Sequence, residues 1–260
     1  MEQRPQDPAR LSELRAQIDA IDESVHRLLM QRASVIDELI RVKGTARNGA
    51  AFRPGREADM MRRLASRHSG PLPLTSLEHL WREIISTFTA LQAPFDVAVS
   101  LGSDPVAAMD AARFAFGFSV PVHALASANE VVTRIEEGGD RLGLVLLKEP
   151  TGPWWEGLRS AQIVARLPFV EAQGRQAGEP ALVLSPPLAD PVPFEISCFV
   201  VSGDGDLSLP EGATILREAP TSRLVALPGG ADGFVSALGE GLDIRPVGGY
   251  AAPLIAPRQT

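Results

Sequence analysis

An α+β multidomain protein is predicted, on three observations. A stripe of apolar residues at helical spacing runs without Gly or Pro from Leu11 to Val42. Two shorter helical patterns follow before Pro94. After Pro94 the texture changes to short β-branched runs separated by Gly and Pro. The expected organisation is an all-α three-helix domain over residues 1–94, then a smaller α/β domain over residues 95–260.

The first helix carries Leu11, Leu14, Ile18, Ile21, Val25, Leu28, Val35, Leu39 and Val42, in steps of 3, 4 and 7, and is expected to stop at Gly44. At about 1.5 Å per residue it is about 50 Å long, which calls for a partner along its whole length. TARNGAAF is expected as a loop pivoting on Gly49. The second helix is expected from Pro54, suited to a first turn, to His68, with Met60, Met61 and Leu64 inward. GPLP breaks the chain, and Thr75-Ser-Leu-Glu78 reads as a capping box. The third helix then presents Leu77, Leu80, Trp81, Ile84, Ile85, Phe88 and Leu91, and Pro94 ends it.

Beyond Pro94, strands are expected at 96–101, 142–147, 162–165, 181–184, 196–201 and 224–227. Helices are expected near 107–116, 129–137 and 231–238. Gly229-Gly230 and Gly248-Gly249 read as turns, and Trp154-Trp155 as a buried plug.

The 260 residues hold 45% hydrophobic residues, ample for a core, and one cysteine, Cys198, so no internal disulfide framework exists. The start MEQRPQDPAR is charged and broken by Pro, unlike a secretory signal. A cytoplasmic protein is expected. The net charge of −7 divides unevenly: residues 1–94 hold 14 Lys+Arg against 12 Asp+Glu, and the remainder 11 against 20. This excludes nucleic acid as the main partner and leaves room for a small anionic ligand. No apolar run is long enough for a membrane span. His26, His68, His79 and His123 form no metal-ligand spacing.

One charge interrupts the first stripe. Leu28, Val35, Leu39 and Val42 lie on a heptad seam whose missing member is Arg32. A buried cation without a partner costs several kcal/mol. Arg32 therefore serves an ion pair, a register device or a visiting anion. Lys43, 11 residues later, returns to within about 20° of the same face. Arg15, 17 residues earlier, is rotated by about 100°; it suits the pocket of a partner chain better than its own. Arg53, Arg56 and Glu57 open the second helix, and Gln92 places a neutral amide on the third stripe.

The segments LSELRAQIDAIDESVHRLLMQRASVIDELIRVKG, FRPGREADMMRRL and LWREIISTFTALQAP closely resemble the all-helical (AroQ-class) chorismate mutases. The resemblance implies an intertwined homodimer, no cofactor and no metal, with chorismate as substrate and prephenate as product. It implies that Arg15, from the partner chain, and Arg32 bind substrate carboxylates. Lys43 contacts a carboxylate and the ether oxygen, and Arg56 supports the site. Glu57 takes the substrate hydroxyl, and Gln92 donates to the ether oxygen. Arg53 stands where many members carry Asp, and Phe88 where Ser is frequent.

Three further segments, VAVSLGSDPVAAMDAARFAFG, SANEVVTRIEEGGDRLGLVLLKEP and ALGEGLDIRPVGGYAAPL, resemble parts of prephenate dehydratases and their ACT-like regulatory segment. The functional motifs have eroded: the first loop reads GSDPVA, the Glu-Asn-Ser turn reads KEP, and Ser197-Cys198-Phe199 lacks the Arg of the Thr-Arg-Phe triplet. A degenerate dehydratase-like region is expected over 95–260, with 195–255 ACT-like. Two alternatives stand beside the mutase: a bifunctional mutase–dehydratase, and a non-catalytic helical dimerisation module with an effector-binding C-terminal domain.

Overall fold

The computed structural model describes residues 7–43, 52–148, 152–188, 193–203, 205, 209–229 and 241–256. Gly44, the loop at 45–51, most of KEP, Gly230 and the helix expected at 231–238 lie outside the described residues. The chain divides into two compact units, Met1–Thr45 and Ala46–Thr260.

The first unit is one helix, α1 (Pro8–Lys43), unbroken over 36 residues. Asp7 starts it by accepting from the Ala9 and Arg10 amides. On its stripe Ile18, Ile21, Leu28 and Val35 are all more than half exposed.

The second unit contains α2 (Pro54–Arg67), α3 (Leu74–Gln92), α4 (Pro105–Phe116), α5 (Ala128–Glu136) and a nine-stranded mixed sheet. Its strands are β1 (Asp96–Ser100), β2 (Val122–Leu125), β3 (Arg141–Leu146), β4 (Gln162–Leu167), β6 (Ala181–Ser185), β7 (Ile196–Ser202), β8 (Thr214–Glu218), β9 (Ser222–Pro228) and β10 (Asp243–Tyr250). Their order is β2-β1-β3-β6-β4-β10-β7-β9-β8. Short β5 (Val170–Glu171) pairs separately with β11 (Leu254–Ile255). The α+β class is as expected, but the α/β part is the larger. The spatial division also falls before α2 rather than at residue 94, because α2 and α3 pack into the sheet unit.

Alternation along the strands assigns the two faces of the sheet. Val97, Val99, Leu142, Leu144 and Val183 meet the small residues Ala108, Ala111, Ala112 and Ala115 of α4. Ala98, Val145, Leu182 and Leu184 meet Val131, Val132 and Ile135 of α5. The Trp154-Trp155 plug forms a buried 3-10 turn in that second core, with Trp155 Nε1 donating to Ser222 Oγ at 2.9 Å. Cys198 is buried there too, and burial pushes its thiol well above the usual range.

Gly248-Gly249 is not a turn. It lies in β10, an interior strand between β4 and β7. A Cβ on Gly248 would sit 2.1 Å from the Ile163 carbonyl oxygen, and its φ is +103°. Pro246, which lacks an N–H, is accommodated by a bulge between Pro246 and Gly249.

The capping box expected at α3 does not form. Pro73 is the N-cap, without a side-chain bond. Glu78 is buried instead, accepting from Val170 N at 3.2 Å and Arg175 Nη1 at 2.8 Å.

Candidate active site

The expected site residues fall on both units. On α1, Arg15 is exposed and Arg32 half-buried, while Lys43 is the last helical residue, with its side chain outside the described atoms. On the sheet unit, Arg53 is the N-cap of α2, its carbonyl accepting from Glu57 N at 3.1 Å. Arg56 is exposed one turn in. Phe88 is buried. Gln92 donates through Nε2 to the Phe88 carbonyl at 3.0 Å.

Glu57 has a partner that the sequence reading did not single out. Arg82 of α3 donates from Nη1 to Glu57 Oε2 at 2.9 Å, with both side chains close to fully buried. Burial raises the Glu57 pKa, and the Arg82 charge and hydrogen bond oppose that rise. A signal for Arg82 existed. Glu78, Arg82, Ser86 and Thr89 recur at steps of 4, 4 and 3, a polar stripe on α3, and all four are buried. The expected apolar stripe is only partly inward, since Leu80 and Leu91 are each more than half exposed.

Glu57 and Arg82 line a pocket between the α2–α3 hairpin and the sheet. Phe52, Ile85, Thr89, Phe95, Val164, Arg166 and Phe169 complete much of its wall. Arg166, from β4, is paired with Glu171. The pocket thus combines two guanidiniums, each paired with a carboxylate, and an apolar wall around a cavity of about 30 Å³, room for a water-sized guest.

Four polar clamps hold the hairpin in place. Arg62 of α2 grips Glu195 with two bonds of 2.8 and 2.6 Å and reaches the Ala252 carbonyl at 3.0 Å. Glu78 holds Arg175, whose guanidinium lies 4.5 Å from the Phe114 ring centre. Ser86 Oγ donates to the Ala115 carbonyl at 3.3 Å. Glu83 accepts from Phe118 N and Ser119 Oγ, both at 3.1 Å. That last clamp needs Gly117, with φ +70°, because a Cβ there would come within 2.1 Å of the Glu83 carboxylate.

Among the described residues no group of three or more His, Cys, Asp or Glu side chains is placed to hold a metal ion. No helix among them is long and apolar enough to cross a membrane.

Residues 14–93 match the family model of chorismate mutase type II. The chain is similar to bifunctional chorismate mutase/prephenate dehydratases. The one from Stutzerimonas stutzeri is 33% identical over 145 residues, 54% of this chain and 40% of the relative. The Pseudomonas aeruginosa protein is 32% identical over 149 residues, 56% and 40% of the two chains. The Neisseria gonorrhoeae protein is 34% identical over 119 residues, 46% and 32%. The chain spans about two fifths or less of the length of these relatives. No solved structure matches it. All eight expected site residues, from Arg15 to Gln92, lie inside the family match, and the chain carries a chorismate mutase type II domain at its N-terminus.

Proposed function

We propose that this protein is a chorismate mutase: a cytoplasmic homodimer that rearranges chorismate to prephenate without a cofactor. The reading is carried by the family match over residues 14–93. The reaction is intramolecular. The ether C–O bond breaks as a C–C bond forms, and no nucleophile or proton relay is required. The protein has to hold a compact conformer and stabilise charge developing on the ether oxygen. Preorganised donors suit this, each worth about 3–4 kcal/mol when removed singly.

In this reading Arg32 and the partner's Arg15 bind the two carboxylates. Lys43 bridges a carboxylate and the ether oxygen. Gln92 exchanges its bond to the Phe88 carbonyl for one to that oxygen. Glu57 accepts the substrate hydroxyl, with Arg56 beside it; Arg53 and Phe88 occupy flanking positions. The exposed apolar stripe of α1 supports the dimer, because an uncovered stripe of this length calls for a second helix.

The bifunctional reading rests on the relatives' names. One observation argues against it. Asp104, in the GSDPVA loop, caps α4 by accepting from Ala107 N at 3.0 Å and holds Lys148 of KEP at 2.9 Å. The chain's own carboxylate thus fills a helix start that would otherwise suit an anion. Phenylpyruvate formed from prephenate would restore the bifunctional reading.

The test is chorismate consumption by the purified protein beside Arg32→Ala and Lys43→Ala. Conversion to prephenate by the parent, nearly lost in both folded variants, is expected. An inactive parent defeats the proposal and favours the non-catalytic dimerisation module. That alternative also requires that Arg32→Leu stabilise the fold at no functional cost.

A further inference from the structure

We infer that Arg82 is a positioning residue of the mutase site, setting the Glu57 carboxylate for the substrate hydroxyl; this rests on the mutase reading above. The geometry is a buried ion pair across the hairpin, 2.9 Å from Nη1 to Oε2, with side chains only 11% and 13% exposed. Two long side chains do not hold such a geometry unless their backbones are fixed. Here α3 is fixed on both sides of Arg82. One turn before it, Glu78 is bound to Arg175 and to the Val170 amide. One turn after it, Ser86 is bound to the Ala115 carbonyl. The sheet unit therefore anchors α3, α3 carries Arg82, and Arg82 fixes Oε2 of Glu57, leaving Oε1 assigned to the substrate.

Arg82 has a second effect on the same group. Ionised, Glu57 is the stronger acceptor for the hydrogen bond from the substrate hydroxyl. Burial favours its protonated form, and Arg82 opposes this. Loss of Arg82 therefore acts twice, on position and on charge. Lysine keeps the charge but lacks the planar fork of the guanidinium.

The experiment compares the full chain with Arg82→Met and Arg82→Lys, each also on a Glu57→Ala background. Two readouts are taken: the pH profile of kcat/KM for chorismate, and the Glu57 carboxyl titration followed by ¹³C NMR. Arg82→Met is expected to lower kcat/KM on the order of 100-fold, the scale of a misplaced reacting contact. It should also move the acid limb and the Glu57 titration to higher pH. Arg82→Lys should restore the titration but only part of the rate. On the Glu57→Ala background neither change should cost anything further. If Arg82→Met does not fold, the lysine variant decides, by the split between titration and rate. An active parent whose Arg82 variants keep its rate and Glu57 titration overturns the role of Arg82 alone. So does a loss that persists undiminished without Glu57. An inactive parent overturns the mutase reading with it, even where the NMR titration still shows Arg82 controlling Glu57.

Discussion

α1 and the α2–α3 hairpin lie in one family match, yet their stabilities have opposite origins. Along α1, Ile18, Ile21, Leu28 and Val35 of the apolar stripe are more than half exposed. The hairpin is embedded: Ala58, Met61 and Ile85 pack with Phe169 and Val170, and ion pairs lock both helices to the sheet unit. The difference shows what the α/β part contributes. The unit that contains it also carries five of the eight expected site residues, Arg53, Arg56, Glu57, Phe88 and Gln92. Most helical stability comes from packing an apolar face; for the hairpin that packing lies within the sheet unit, and for α1 it would come from the proposed dimer.

The sharpest way to break this comparison is to remove the sheet. A chain ending at residue 94 is expected to lose cooperative folding, because Glu78, Arg82 and Ser86 lose their buried surroundings. A sigmoidal thermal melt by circular dichroism, with mutase activity retained, would show the hairpin to be self-sufficient. Next in size is Arg175→Met. It strands Glu78, which is essentially fully buried, and should cost about 3–5 kcal/mol by urea unfolding. The double change Glu78→Leu with Arg175→Met should recover most of that loss, since an apolar pair replaces a desolvated ionic one. A single-site cost under 1 kcal/mol would mean the clamp is dispensable.

Parts of this architecture were legible and parts were not, for physical reasons. Six strands and the helices α4 and α5, one on each sheet face, follow from apolar runs with clear punctuation. β2 and β8 escape such reading because they are edge strands with no buried residue. β10 escapes because Pro246, Gly248 and Gly249 imitate a turn, while the tight approach of Gly248 to Ile163 is set by a strand remote in sequence. Glu57 and Gln92 are expected site residues on pattern and resemblance alone. Arg82 is not, because its partner sits 25 residues away on another helix. Only the polar stripe through Glu78, Arg82, Ser86 and Thr89 announces it.

Smaller effects sharpen the other side of the comparison. Leu28→Glu places a charge on the exposed stripe of α1. It should weaken self-association by on the order of 10-fold or more, as expected for about 1.5–3 kcal/mol of lost Leu burial. The unfolding free energy of the sheet unit should change by less than about 0.5 kcal/mol. Sedimentation velocity and urea unfolding separate the two quantities. A large shift in the sheet transition would show that the stability of the sheet unit depends on α1.

The smallest expected effect lies at Glu136, where α5 ends. Its carboxylate accepts from Arg159 N at 2.7 Å, Ala161 N at 2.8 Å, and both N and Oγ of Ser160 at 3.0 and 2.7 Å. Partial burial works against the charge, but these four donors outweigh it and hold the pKa below the usual carboxylate value. A depressed folded-state pKa stabilises the fold above the unfolded-state pKa, and that contribution is lost as pH falls through the folded-state value. Glu136→Gln should therefore cost about 1 kcal/mol at neutral pH, the screened worth of its charge-assisted bonds. The cost should shrink as pH falls below about 4, the ordinary carboxylate pKa. Urea unfolding of both proteins from pH 7 to pH 3 measures this. A gap unchanged on acidification would mean that Glu136 stabilises the fold through its shape rather than its charge.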